Sequence, residues 1–156
     1  MEDPIFFPRR RPHFSGMKTE FHTLTDLVER LAENGQKPFL VEMRASATRT
    51  FPYSQLDAAV RNVASELIRN GVTPGDAVGL FAPAGFAWIA ACLAILRAGA
   101  AVLPLDLQSD PETLRHILAD ARPAALFVSR SHWDALEGVR PADAKRFPLE
   151  DAIPSR

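Results

Sequence analysis

Leu24, Leu27, Val28 and Leu31 recur at three- and four-residue spacing, the period of one helical face. Thr23 or Thr25 can accept the first free amides of that helix, and Asn34-Gly35 closes it. The period then changes. Phe39 to Met43 predicts a strand, Ala45 to Arg49 a polar turn, and Thr50 to Tyr53 a second short strand, so the three together predict a β-hairpin. Helical spacing returns at Leu56, Val60, Val63 and Leu67, with Ala59, Ala64 and Ile68 beside them and Arg61, Asn62, Glu66 and Arg69 facing away. Ser54 is the expected N-cap of this amphipathic helix and Gly71 its end. Thr73-Pro74-Gly75-Asp76 predicts a turn, because proline and glycine supply the backbone angles a turn needs.

From here short apolar runs alternate with helical ones. Ala77 to Ala82 predicts a strand, Pro83-Ala84-Gly85 a turn, and 86–98 a helix apolar nearly all round, hence buried on most sides. Gly99 suits a left-handed cap, Ala101 to Leu103 predicts a strand, and Pro104 stops it for want of an amide donor. Ser109-Asp110-Pro111-Glu112 opens a helix with inner stripe Leu114, Ile117, Leu118 and Ala121, which Pro123 breaks. Ala124 to Ser129 predicts another strand, and Ser131 the cap of a short helix through Leu136. Alternating strands and helices predict βαβ units. The expected fold class is therefore α/β: a parallel βαβ sheet with flanking helices, plus the early hairpin. Residues 1–22 are expected to be a flexible N-terminal arm, 23–137 the α/β body, and 138–156, with Pro141, Pro148 and Pro154, an irregular C-terminal tail.

Composition narrows the class further. The 156 residues carry a net charge of −1, which gives a nucleic acid no electrostatic footing. The lone Cys92 rules out an internal disulfide and, within its apolar run, reads as a packed thiol. The apolar stretch Ala77 to Leu105 is punctuated by Pro83, Gly85, Arg97, Gly99 and Pro104, so no membrane span is expected. No targeting segment is evident, and a cytoplasmic setting is expected.

The search for chemistry is mostly negative. There is no glycine-rich phosphate loop, and Gly79 and Gly85 around the strand-to-helix turn do not make one. His13, His22, His116 and His132 have no metal-ligand spacing. His116 between Glu112 and Asp120 reads as a solvated face, and Ser129, Ser131 and His132, though adjacent, do not make a triad. Trp88 and Trp133 read as packing residues. Asp106 follows a strand end, where parallel sheets gather their ligands, but a turn-forming acid is the simpler reading. No catalytic, cofactor-binding or metal-binding residue is assigned.

Four segments together resemble the N-terminal part of the AMP-forming adenylating enzymes, the family of acyl-CoA synthetases, luciferases and peptide-synthetase adenylation domains. They are Pro52-Tyr53-Ser54-Gln55-Leu56; Gly71-Val72-x-x-Gly75-Asp76-x-Val78; Leu96-Arg97-Ala98-Gly99-Ala100-x-x-Leu103-Pro104-Leu105-Asp106; and Glu112-x-Leu114-x-x-Ile117-Leu118-x-Asp120-Ala121. The resemblance covers about residues 23 to 132. Pro83-Ala84 stands where the family often has Pro-Asn, Asp106-Leu107 where it has Asp-Pro, and Gln55 where it has Glu. The resemblance implies an AMP-forming fatty acid or carboxylic acid–CoA ligase, with ATP, Mg and CoA for the whole enzyme. The family's Ser/Thr/Gly-rich phosphate loop ending in Pro-Lys-Gly, its ribose-binding acid and its late catalytic lysine have no match in these residues. The chain is therefore expected to be an inactive N-terminal fragment that binds none of those cofactors. Its expected partners are the rest of the same polypeptide and, as a fragment, a second copy of itself. The competing reading is a stand-alone, non-catalytic α/β binding or interaction domain derived from the same scaffold.

Overall fold

Thr23 sets the first element: its Oγ1 accepts from Asp26 N at 3.2 Å, while Asp26 Oδ2 accepts from Thr23 N at 2.9 Å. This reciprocal cap satisfies two amides that the first helical turn leaves free. The computed structural model describes residues 23–44 and 47–153; the arm expected over 1–22 lies outside them. Helix α1 (Leu24–Glu29) runs into a 3₁₀ turn (Leu31–Asn34), and Gly35 turns the chain at φ +54°. Strands β1 (Pro38–Arg44) and β2 (Ala47–Pro52) pair antiparallel as the expected hairpin, with β2 starting earlier than Thr50.

Helix α2 (Tyr53–Arg69) follows β2 without a loop. Ser54 is not its cap. Pro52 holds that position, and the amides of Tyr53 and Ser54 donate to Lys37 O (3.0 Å) and Gly35 O (2.8 Å). Backbone carbonyls before the hairpin do the work a side chain was expected to do. Leu56, Val60, Val63, Ala64 and Leu67 form the buried stripe of α2, while Ile68 is 57% exposed.

The main sheet holds β3 (Ala77–Phe81), β4 (Ala101–Pro104), β5 (Ala125–Val128) and β6 (Lys145–Pro148), all parallel, in the order β4-β3-β5-β6. Helix α3 (Phe86–Arg97) joins β3 to β4, and α4 (Pro111–Ala121) joins β4 to β5. The first crossover goes one way from β3 and the second returns past it. Right-handed connections therefore put α3 and α4 on opposite faces. The core divides accordingly. Val78, Leu80, Ala125 and Phe127 pack with α2 and α3; Phe81, Leu126 and Val128 pack with Leu114 and Leu118 of α4. Burial on both faces explains why these strands read as continuous apolar runs. Phe86, Ala90, Ala91, Ala94 and Ile95 are the buried face of α3, while Trp88, Cys92 and Leu93 are half-buried, so the helix is less enclosed than its composition suggests.

The stretch 138–156, expected to be irregular, contains β6 and the short helix α5 (Leu149–Ala152). Lys145–Pro148 is too short to show a period, and only its pairing with β5 makes it a strand. The segment expected as a short helix capped by Ser131 is a 3₁₀ run, Arg130–Leu136, preceded by Ser129 without a side-chain cap bond. Among the described residues, no helix is long and apolar enough to cross a membrane.

Candidate functional site

The strand order reverses between β3 and β5, and at such a point a parallel sheet leaves a crevice outside its carboxyl ends. Pro83, Ala84, Gly85, Trp88, Ser129 and Glu150 line that crevice, with Glu42 of β1 reaching in from the hairpin. Its volume is about 160 Å³. Two helix starts face it, and each is already occupied by a carboxylate of the protein. Phe86 N, the first amide of α3, donates to Glu42 Oε1 at 2.6 Å across 44 residues. Arg130 N donates to both oxygens of Glu150 at 3.1 Å, and the Arg130 guanidinium pairs with Asp151. A Cβ on Gly85 would come within 2.9 Å of Glu42 Oε1, so this glycine makes room for the capping carboxylate.

Ser129 is the buried polar side chain of this region, 3% exposed. Its Oγ and that of Ser131 each lie 2.9 Å from His132 Nδ1, and the imidazole stands edge-on to Phe81. The three residues do meet, but both hydroxyls converge on one ring nitrogen. Among the described residues no carboxylate orients the ring from behind, so they assemble no nucleophilic triad.

The other singled-out residues do not join the crevice chemistry. Asp106 is exposed, and its Oδ1 accepts from Gln108 N at 3.0 Å, as a turn acid does. His116 Nε2 lies 3.8 Å from Glu112 Oε1, both exposed on α4. Trp88 packs against the α2–α3 core, and Trp133 carries the Arg146 guanidinium 3.8 Å over its ring on the other face. Burial pushes the Cys92 thiol up. Among the described residues, no group of three His, Cys, Asp or Glu side chains is placed to hold a metal ion.

Two of the four segments that carried the sequence resemblance, the glycine-containing 71–78 and 96–106, lie side by side. Gly75 N donates to Gly99 O at 2.9 Å, Ala101 N donates to Asp76 O at 2.8 Å, and β3 and β4 run on from there in register. Asp76 Oδ2 in turn accepts from Thr73 N (2.7 Å) and Thr73 Oγ1 (2.9 Å), which hold its carboxyl below the usual range. These motifs build the sheet. They project no reactive group into the crevice.

The profile of the AMP-binding enzyme family matches residues 27–153. The chain belongs to that family. Among relatives of this AMP-binding segment, the hybrid PKS-NRPS synthetase mpsA of Macrophomina phaseolina is 31% identical over 143 residues, covering 92% of this chain and 3% of that protein. Novobiocin biosynthesis protein H of Streptomyces niveus is 36% identical over 114 residues, 72% of this chain and 18% of that one. The fold is that of the fatty acyl-adenylate ligase from L. pneumophila, with a TM-score of 0.71 at 24% identity, over 83% of this chain and 23% of the ligase. The AMP-binding segment thus spans a small part of the length of each relative.

Proteins of this family use ATP and Mg, and the crevice can be tested for them. It is smaller than the roughly 300–1,000 Å³ of ordinary small-molecule pockets. Among the described residues no lysine or arginine lines it, and two carboxylates do. A triphosphate needs cations and free amides; here the facing helix starts are filled by Glu42 and Glu150. The described residues do not fit ATP at this position.

Sequence reasoning missed Glu42. The signal was an inverted alternation along β1: Val41 and Met43 are 50% and 82% exposed, and the acid between them turns inward.

Proposed function

We propose that this chain is the N-terminal scaffold of an AMP-forming acid–thiol ligase working in the cytoplasm. In that reaction a carboxylate attacks the α-phosphorus of ATP, giving acyl-AMP and releasing pyrophosphate. A thiol then attacks the acyl carbon, giving a thioester and releasing AMP. The observation that carries the reading is the family match over 27–153 together with the clasp of the two glycine motifs that sets β3 and β4. In this reading the chain supplies no catalytic, cofactor-binding or metal-binding side chain. It supplies a rigid half-sheet on which phosphate-handling segments of the family are mounted. A fatty or other free carboxylic acid with CoA as the thiol is the first choice of substrates. A carrier-protein thiol is the second, and the relatives named as hybrid PKS-NRPS synthetases favour it. The outer edges of β4 and β6 have no neighbouring strand among the described residues and offer a second copy of the chain a place to pair; light scattering showing a clean monomer would remove that part of the proposal.

The test is a chimera. Residues 23–153 replace the matching segment of a fatty acyl-adenylate ligase, and carboxylate-dependent exchange of pyrophosphate into ATP is measured. The chimera is expected to exchange above blank, and the 156-residue chain alone is not. A folded, soluble chimera without exchange overturns the reading.

A further inference from the structure

At the opposite end of the sheet from the crevice, α4 and the loop leading into β6 enclose an open cleft of about 460 Å³. Three arginines line it, Arg115, Arg122 and Arg140, against one acid, Asp143. Arg115 and Arg122 stand seven positions apart with Ala119 between them at four, so they share one stripe of α4 and its end. Neither side chain has a carboxylate partner among the described residues, nor does Arg140.

Two further observations separate this cluster from an ordinary solvated face. Arg140 is half-buried, its Nη1 donates to Pro141 O (3.2 Å) and Ala144 O (3.3 Å), and its Nε is buried without a partner. The guanidinium is thus held in place with its charge uncompensated, which is unfavourable away from water. Arg122 is the one non-glycine residue with positive φ among the described residues, +44°, directly before Pro123. A left-handed helix cap is ordinarily glycine, and L residues are strained there. A cation complements the carboxyl end of a helix, which accounts for an arginine in the last turn but not for one in this strained position. Glycine would cap α4 with less strain and leave the cleft one charge poorer.

We infer that the cleft between α4 and the loop before β6 binds a phosphate group. A surplus of two positive charges matches a phosphate dianion, and guanidinium forks match its oxygens. The cleft is larger than inorganic phosphate, so the phosphate arrives on a small organic molecule, as a monoester. The site is independent of the adenylation reading, since it lies at the far end of the sheet and uses none of the crevice residues.

The test uses the full 156-residue chain, with inorganic phosphate and phenyl phosphate as probes at matched ionic strength. Binding is read by ³¹P line broadening and by the shift in melting temperature. Saturable binding of phenyl phosphate in the millimolar range, weaker with inorganic phosphate, is expected. Arg115→Gln and Arg122→Gly are each expected to weaken it by roughly tenfold or more. Arg122→Gly is also expected to melt at or above the parent's temperature, which separates loss of a ligand contact from loss of the fold. Binding that does not saturate below about 10 mM, that sulfate or chloride reproduces, or that both variants retain unchanged, overturns the inference. Stronger binding of inorganic phosphate than of phenyl phosphate overturns the assignment to an organic monoester.

Discussion

Gly79 sits in the middle of β3, and a Cβ added there would lie 2.2 Å from Leu126 Cδ2 on the neighbouring strand β5 and 3.7 Å from Leu105 Cδ1. No real Cβ contact is that short, and Leu126 is fully buried, so its side chain has nowhere to swing. Gly79→Ala should therefore destabilise the fold by about 1–3 kcal/mol, the range for overpacking a tight interior. Leu126→Ala alone removes a buried side chain from the α4 face of the sheet and should cost about 2–5 kcal/mol. The decisive measurement is the double variant. If the overlap is the cause, the alanine at 79 fills part of the space Leu126 vacates. The double variant should then be no less stable than Leu126→Ala, giving a favourable coupling of about 1–3 kcal/mol against simple addition. Urea unfolding followed by far-UV circular dichroism, with unchanged slope, reads all three values. Additive penalties, or a Gly79→Ala variant as stable as the parent, would show that this glycine does not set the β3–β5 spacing.

Gly99 has φ +78°, and a Cβ there would meet Pro74 Cβ at 3.2 Å; Gly99→Val should cost at least about 1 kcal/mol, and an unchanged denaturation midpoint would refute it. Asp110 caps α4 by accepting from Thr113 N, Thr113 Oγ1 and Glu112 N, and these bonds hold its carboxyl below the usual range. A carboxyl depressed in the folded state stabilises it above the unfolded value of about 3.9 and loses that contribution as pH falls through the folded value. Asp110→Asn, which can still accept but does not titrate there, should show a shallower loss of stability as pH falls below about 4; identical acid limbs would contradict the assignment.

The parts of the fold read from the sequence are those with a period or a punctuation mark. The buried stripe of α2 and the Asp110-Pro111 opening of α4 are local, and they appear where the residues place them. The Gly99 cap is equally local, because the turn between α3 and β4 offers one glycine for the left-handed position, between two alanines. Strand β6 is not legible because its four residues, the last of them Pro148, carry no alternation of their own and become a strand only beside β5. Ser54 was misassigned because the carbonyls that satisfy the start of α2 come from Gly35 and Lys37, across the hairpin. The crevice was legible only as a place, the carboxyl ends of the strands. Its filling by Glu42 depends on a contact 44 residues long, which no local pattern encodes. The arginine cleft has the same character: Arg140, on the loop before β6, meets Arg115 and Arg122 only through the tertiary fold.

The strand order also dictates a schedule for synthesis. A chain emerging from its N-terminus presents β3 and then β4, the two strands that the Gly75–Gly99 clasp joins in the finished fold. The other edge of β3, central in the finished sheet, stays open until β5 has been made. Phe81 ends β3 and Ala125 begins β5; at roughly 5–20 residues per second the wait is on the order of seconds. During that interval Val78, Leu80 and Phe81, among the most buried side chains of the mature fold, border an unpaired strand. The nascent chain is therefore most exposed to chaperone binding, and to pairing with a neighbour on the same message, after β3 has emerged and before β5 has. A pause before β5 has emerged from the ribosome lengthens the exposure, and a pause after it has emerged does not.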